Sequence, residues 1–205
     1  FTQLLNKKAE KYKNDLFVKH LGKMDKQVDK LTNLINDLLN ITKLQEGKLE
    51  FNKVNFFMEE IIQDVVETLQ HTTTDHTFII TNKSHHAVFA DKERIIQVLM
   101  NLMSNAIKYS PDGGEILISA QEKDRNVQIS IKDQGIGIDP KYQTAIFERF
   151  FRINEGRGKN YPGLGIGLFF SLEIINRHKG KMWMQSQKGK GSIFFFTIPL
   201  PKKSL

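Results

Sequence analysis

The sequence predicts an α+β protein, an α/β sandwich in which helices cover one face of a mixed sheet, preceded by the remnant of a helical hairpin. Three patterns predict it. Residues 21–41 repeat apolar side chains at the alternating 3-4 spacing of a helical seam. Segments 55–69, 91–109 and 164–178 carry apolar residues at helical period. Between and after them, short segments alternate with period two across polar turns, which is the pattern of hairpin strands. Helices interleaved with hairpins imply a two-layer sandwich.

In the first helix the seam is Leu21, Met24, Val28, Leu31, Ile35 and Leu38, supplemented by Leu34, Leu39 and Ile41. Lysines and aspartates fill the other faces, so the stripe must pack against other helices, and self-association is one way of burying it. Leu4, Leu5 and Tyr12 read as the stub of a partner helix, with Asn14-Asp15 as the turn. Gly47 closes the long helix. Asn55 is placed to cap a second amphipathic helix running to Leu69. Residues 78–80 read as a strand and 91–109 as a helix. Residues 116–120 and 127–131 form a hairpin across Asp124-Arg125-Asn126. After a glycine-rich irregular stretch, 164–178 is helical, and strands 182–186 and 192–198 flank the turn Gly189-Lys190-Gly191.

Composition narrows the function classes. The chain has 205 residues, 40% hydrophobic and 26% charged, which suits one substantial domain with a smaller appendage. No apolar run approaches a membrane span and no signal-peptide pattern precedes Lys7-Lys8. The absence of cysteine excludes thiol catalysis and thiolate metal sites, and suits a reducing compartment. The net charge of +7 comes from scattered lysines without aromatic interleaving, a solvated basic surface rather than a nucleic-acid interface.

The chemistry lies in the second half. On the helix from Asp91, Ile95, Ile96, Leu99, Leu102, Met103 and Ala106 gather on one side, and Asn101, Asn105 and Lys108 on the other. Those three could form a solvated stripe. Asparagines are poor helix formers, however, and the functional alternative is a polyphosphate floor with an amide oxygen for Mg²⁺ and Lys108 for phosphate. Residues 127–131 lead into Asp133-Gln-Gly135-Ile-Gly137-Ile138, where a carboxylate beyond a buried strand can accept from an exocyclic amine; alone, this string describes a plain turn better. Phe147-Glu-Arg149-Phe150-Phe151-Arg152 begins a polar stretch with Arg157 and Lys159, either a cationic lid or a connection without purpose. It ends in Gly163-Leu-Gly165-Ile-Gly167-Leu168, glycines opening a helix, whose amides suit phosphate. The spacing is neither the dinucleotide fingerprint nor a Walker A loop.

Together, in this order, these strings resemble the boxes of sensor histidine kinases, in the GHKL superfamily. Residues 101–111 resemble the N box, 133–137 the G1 box, 146–152 the F box, 163–168 the G2 box, and Gly189-Lys-Gly191-Ser192 the final glycine turn. The long helix is similar to the second helix of the family's dimerisation and phosphotransfer hairpin. The resemblance implies a histidine kinase ATPase-like fold, with a partial hairpin at 1–47 and an ATP-binding catalytic domain at 48–205. It implies that Asn105 binds Mg²⁺ with Asn101 in support, that Lys108 and Tyr109 contact phosphate and ribose, and that Asp133 accepts from the adenine amine. Gly135, Gly137 and Ile138 would line the base pocket. Phe147, Arg149 and Arg152 would belong to the lid region, Arg152 as the γ-phosphate contact. Gly163, Gly165, Gly167 and Leu168 would wrap the phosphates, and Ser192 would join the nucleotide site. ATP and Mg²⁺ are the implied cofactors. The implied partners are a second copy of the chain and a response-regulator receiver domain, in the cytoplasm, with no nucleic acid and no membrane contact by this stretch.

Related ATPases of the superfamily place a water-activating glutamate where this chain has Asn101, which cannot act as a general base. The resemblance therefore favours phosphoryl transfer to a protein acceptor over hydrolysis. Two departures stand out. None of the histidines, His20, His71, His76, His85, His86 and His178, lies in the family's acceptor motif resembling His-Glu-x-x-x-Pro, so the chain reads as a fragment unable to phosphorylate itself at the usual site. Leu164 stands where the family usually has threonine or serine. The histidine pairs lack converging acid ligands and read as surface residues. An ATP-binding interaction module without kinase activity, a pseudokinase or phosphatase, is the alternative reading.

Overall fold

The computed structural model describes residues 50–82, 85, 87–153 and 164–201, and thirteen helical positions between 20 and 42. The chain divides into two compact units, residues 1–50 and 51–205. In the first, every described residue from 20 to 42 is helical. Leu21 is buried, whereas the seam residues Met24, Val28, Leu31 and Ile35, with Leu39 beside them, are each between 51% and 58% exposed. The expected partner stub, the Asn14-Asp15 turn and the closing Gly47 lie outside the described residues.

The second unit runs β1 (Lys53–Phe57), α1 (Met58–Gln70), β2 (His76–Asn82), β3 (Ala87–Asp91), α2 (Lys92–Tyr109), β4 (Gly114–Lys123), β5 (Asn126–Lys132), α3 (Gly167–Arg177), β6 (Met182–Ser186) and β7 (Ser192–Pro199). Two short 3-10 turns, Pro140–Tyr142 and Ala145–Phe147, lie between β5 and α3. Five strands form one sheet in the order β2-β4-β5-β7-β6, and β1 and β3 pair separately as an antiparallel ribbon. Only β2 and β4 are parallel, so the sheet is mixed.

Alternation decides which sheet face is covered. Ile118 of β4 stands beside Ile131 of β5 and Phe194 of β7, and Ala120 beside Ile129 and Phe196. All six are buried, and the helices pack on this side. The opposite face carries the intervening residues, with Trp183 and Phe195 stacked at 5.1 Å between centroids. Helix α1 buries Met58, Ile61, Ile62, Val65 and Leu69, a repeat of three and four that gives one apolar stripe. Helix α2 buries Ile95, Val98, Leu99, Leu102, Met103 and Ala106. Val98 thus takes the place expected for Ile96, which is half-buried, because α2 touches α1 and α3 as well as the sheet and its buried arc is wide.

The β4–β5 hairpin turns on two residues, Asp124 and Arg125, both at positive φ, and Asn126 is already the first residue of β5. This is the mirror-image turn that matches strand twist. Asn55 does not cap a helix. It lies in β1, opposite Phe89 of β3, and α1 starts three residues later with Glu59 and Glu60 in its first turn. The ribbon forms between segments about thirty residues apart, and no local signal marks it.

One node ties the ribbon to two helices. Asp91 caps α2, its Oδ1 accepting from Arg94 N at 3.1 Å, while Oδ2 accepts from Asn52 N at 2.8 Å. Its own N–H donates to His178 Nε2 at 2.9 Å, at the end of α3, and His178 Nδ1 lies 2.8 Å from the Ile174 carbonyl. Since Nε2 accepts, the ring is neutral with its proton on Nδ1. Burial pushes the His178 pKa below its ordinary value, with Lys53 adding to this and the Ile174 and Asp91 contacts opposing it. A depressed histidine pKa means the unfolded chain takes the proton first, so the contribution to stability is full above about pH 6.5 and is lost as pH falls towards the folded pKa. The thermal midpoint is therefore expected to fall as pH drops below about 6.5, and scanning calorimetry should show a shallower fall in His178→Gln.

Candidate nucleotide-binding site

Three stretches converge on the half of α2 nearest its C-terminus. The first is the polar side of α2 itself, with Asn101, Asn105, Lys108 and Tyr109 half-exposed opposite the buried side. Asn105 Nδ2 donates to Asn101 Oδ1 at 3.4 Å, and the Lys108 ammonium lies 4.8 Å from the Tyr109 ring centroid.

The second stretch follows β5. Asp133 is buried, and its Oδ1 accepts from Gly135 N at 2.9 Å and Ser192 N at 3.1 Å. Both donors converge on one oxygen, and no described residue donates to Oδ2. Burial raises the carboxyl pKa above its ordinary value, and the two backbone donors oppose that shift without cancelling it. Gly135 presses on the end of α2. A Cβ there would stand 2.1 Å from the Tyr109 carbonyl oxygen, which also accepts from Ile136 N at 3.0 Å. Gly137 and Ile138 continue towards the β6–β7 turn, where Gly189 N donates to the Ile136 carbonyl at 2.7 Å and Ser186 Oγ accepts from Ile138 N at 2.8 Å. Ser192 sits behind Asp133, its backbone N–H on Oδ1 and its hydroxyl 2.9 Å from Ser186 Oγ.

The third stretch is the start of α3. This helix begins at Gly167, three residues later than its periodicity suggests, because Gly165 is at positive φ and its carbonyl accepts from Phe150 N at 3.0 Å. Among the described residues no side chain caps it, so the amides of its first turn, Leu168 among them, suit an anion. Gly167 touches α2, and a Cβ there would stand 2.4 Å from Asn101 Oδ1. One turn on, the buried Ser171 Oγ accepts from Asn101 Nδ2 at 2.9 Å. Phe147 lies in a 3-10 turn, and the exposed Arg149 sets its guanidinium 4.5 Å from the Phe169 ring centroid on α3. Arg152 is exposed beyond it. Gly163, Arg157 and Lys159 lie outside the described residues.

Position 101 thus meets α3, and Tyr109 meets the loop of Asp133. A buried carboxylate with one open oxygen lies beyond one end of a row of amides and an ammonium, and a helix N-terminus lies against the other. A base with an exocyclic amine, carrying a polyphosphate, fits this sequence of groups. Asn105 Oδ1, to which no described residue donates, is the hard oxygen that suits Mg²⁺. Ser171 and Ser186 went unmarked in the sequence, and Asp91 and His178 were marked only as helix ends, His178 also as a histidine outside the acceptor motif; only a buried polar residue on an apolar helix face, as at Ser171, hints at a role.

Residues 90–202 match the sequence profile of the histidine kinase-, DNA gyrase B- and HSP90-like ATPases. The chain belongs to this family. Among its sensor histidine kinase members, WalK of Bacillus subtilis (strain 168) is 32% identical over 189 residues, which cover 90% of this chain and 31% of WalK. The chain therefore spans about a third of that relative. ShkA, solved full-length in complex with AMPPNP, shares the fold with a TM-score of 0.76 at 23% identity, covering 91% of this chain and 39% of ShkA. ThkA in complex with the response regulator TrrA shares it with a TM-score of 0.68 at 24% identity, covering 93% of this chain and 54% of ThkA. The mixed sheet and its helices are those of a histidine kinase ATPase domain.

Two consequences of this geometry are measurable. Because the Asp133 pKa is raised by folding, the buried carboxylate destabilises the empty domain increasingly as pH rises through the interval between the unfolded and folded pKa values. Asp133→Asn keeps an oxygen for both backbone donors and removes the charge, so its melting temperature should exceed the parent's at pH 7, with the gap closing towards pH 3–4, near the ordinary carboxyl pKa of about 3.9. Gly135→Ala forces a methyl against the Tyr109 backbone and should cost about 1–3 kcal/mol in urea unfolding.

Proposed function

We propose that this chain is the core of a sensor histidine kinase that binds Mg-ATP and directs the γ-phosphoryl group to a histidine outside these 205 residues, and onward to a response-regulator aspartate. The observation that carries it is the pairing of Asp133, buried with Oδ2 open, with the amide row Asn101–Asn105 beneath the start of α3. Asp133 Oδ2 accepts from the adenine amine. Gly135, Gly137 and Ile138 line the base, while Lys108, Tyr109 and the first amides of α3 hold ribose and phosphates. Arg152, with Gly163 and Gly165, belongs to the phosphate-covering region. Asn105 Oδ1 would hold Mg²⁺, which supplies charge neutralisation on the phosphates. Catalysis of phosphoryl transfer is mostly positioning and charge stabilisation, which amides, cations and a helix terminus provide.

Asn101 supports transfer over hydrolysis, because an amide cannot deprotonate water. The acceptor is placed elsewhere because the His-Glu-x-x-x-Pro motif is missing; of the described histidines, His20, His71 and His85 are exposed. His76, which the sequence places at the surface, is instead buried because both its ring nitrogens are bonded, to Thr73 and to the Ser110 carbonyl; with the buried His178 it cannot attack a phosphorus atom. The exposed seam from Met24 to Leu39 supports a homodimer formed through residues 1–47 as a partial dimerisation hairpin, since pairing removes that apolar surface from water. This reading puts the chain in the cytoplasm; no helix among the described residues is long and apolar enough to cross a membrane.

Calorimetric titration of ATP with and without Mg²⁺ tests the reading. The parent is expected to bind, Asp133→Asn to lose at least about tenfold in affinity through a lost charge-assisted hydrogen bond, and Asn105→Ala to lose the Mg²⁺ dependence. A parent that binds no nucleotide would replace the kinase reading with that of an interaction module.

A further inference from the structure

An open sheet has two edges, and each edge strand turns alternate backbone N–H and C=O groups to the outside. In the order β2-β4-β5-β7-β6 the edges are β2 and β6. The β2 edge is satisfied from within the fold. Gln70, the last residue of α1, accepts from Phe78 N at 3.1 Å through Oε1 and donates to the His76 carbonyl at 2.8 Å through Nε2, and a register shift between Ile80 and Asn82 interrupts the strand beyond. The β6 edge is engaged only at its end, where Gln143 Nε2 donates to the Ser186 carbonyl at 2.9 Å. Thr197 N donates to the Lys181 carbonyl, so the odd-numbered residues of β6 face β7, and Met182 and Met184 turn their N–H and C=O outward. No described residue bonds to those groups. The strand also lacks the usual guards of an edge, since Met-Trp-Met-Gln-Ser holds neither a charge nor a proline.

The charge around this edge is one-sided. No acidic side chain follows Glu173, so all 23 aspartates and glutamates lie in residues 1–173, where 23 lysines and arginines balance them. The net charge of +7 therefore resides in residues 174–205. Lys179 and Lys181 precede β6 and Lys188 and Lys190 follow it, all four exposed. On the sheet face away from the helices, the half-buried Trp183 lies flat on Phe195, with the two planes 8° apart. We propose that β6 is a docking edge for an extended acidic segment of a partner protein, which joins the five-stranded sheet beside it. Met182 and Met184 supply the backbone pairing, the flanking lysines select acidic side chains, and Trp183 offers an aromatic surface to a side chain of the added strand. A nucleic acid or an anionic lipid would meet the same lysines, but neither brings the ladder of backbone N–H and C=O groups that matches Met182 and Met184. The edge is present whatever binds along α2.

Trp183 is the only tryptophan, so its fluorescence reports on this edge directly. The probe is an end-blocked peptide alternating valine and glutamate, titrated into the whole 205-residue chain. The emission of Trp183 should shift to the blue and saturate, as the added strand removes water from the indole. The N-methylated form of the peptide keeps the charges but loses the N–H donors, and should bind at least about tenfold more weakly. A peptide alternating valine and lysine should not bind. Met184→Pro removes an outward N–H that β7 does not use, and should also weaken binding at least about tenfold, with circular dichroism reporting whether the fold is kept. Lys179→Glu with Lys181→Glu leaves the edge intact and should weaken binding about fivefold at low salt. An unshifted Trp183 emission overturns the proposal, and so does equal binding of the N-methylated peptide, which would leave only a basic surface. Oligothymidylate or phosphatidylglycerol vesicles that displace the peptide and give the same shift would overturn it too, by making the ligand a polyanion rather than a strand.

Discussion

At its N-terminus, helix α2 is held by a single buried carboxylate, since Asp91 caps the helix, accepts from Asn52 and donates its N–H to His178. At its C-terminus, the Tyr109 carbonyl accepts from Ile136 N, and the Ser110 carbonyl lies 2.9 Å from His76 Nε2. Between these ends, six apolar side chains are pressed onto the sheet and its flanking helices. The helix can neither rotate nor slide without exposing that stripe or breaking bonds at one end. Its polar side is therefore aimed in one direction, and the loops on either side close upon it. Gly135 at one end and Gly167 in the middle allow those approaches because neither carries a side chain.

The site is built with little net charge. One carboxylate is buried, at a cost that its raised pKa records, and two backbone donors offset part of that cost on one oxygen only. The remaining oxygen is available to an amine. Along α2 the groups are amides, which can be half-buried without the desolvation penalty of ions. Amides have a direction, however, and that direction has to be imposed by a neighbour. Ser171 Oγ holds the Asn101 amide from α3, and behind Asp133 the Ser192 N–H holds one carboxylate oxygen.

Long, strongly patterned elements were legible in the sequence. The apolar arc of α2, the period-two runs of β4, β5 and β7, and the turn residues of their hairpins are local signals, and tertiary packing agreed with them. Elements defined by distant pairing were not legible. Strands β1 and β3 exist because each pairs with the other, and Asn55, which looks like a helix cap, is drawn into that ribbon. The start of α3 is delayed because Phe150, reaching across in the fold, bonds the Gly165 carbonyl and holds the preceding residues in a turn.

By itself the sequence determined the chemistry on offer: a carboxylate after a buried strand, two asparagines and a lysine on one side of a helix, glycines where backbones must meet. Spacing along a chain settles which face a side chain occupies, because helix and strand periods are local. Only the tertiary structure decided which atoms of each group are already engaged within the protein, for that depends on donors and acceptors brought from elsewhere. The Asp133 carboxylate has one oxygen tied by Ser192, which lies 59 residues away, and Asn101 is bonded by Ser171, which lies 70 residues away. Hydrogen bonds of that kind are satisfied at distances near 3 Å and lost soon beyond, so they exist only once the whole sandwich has closed.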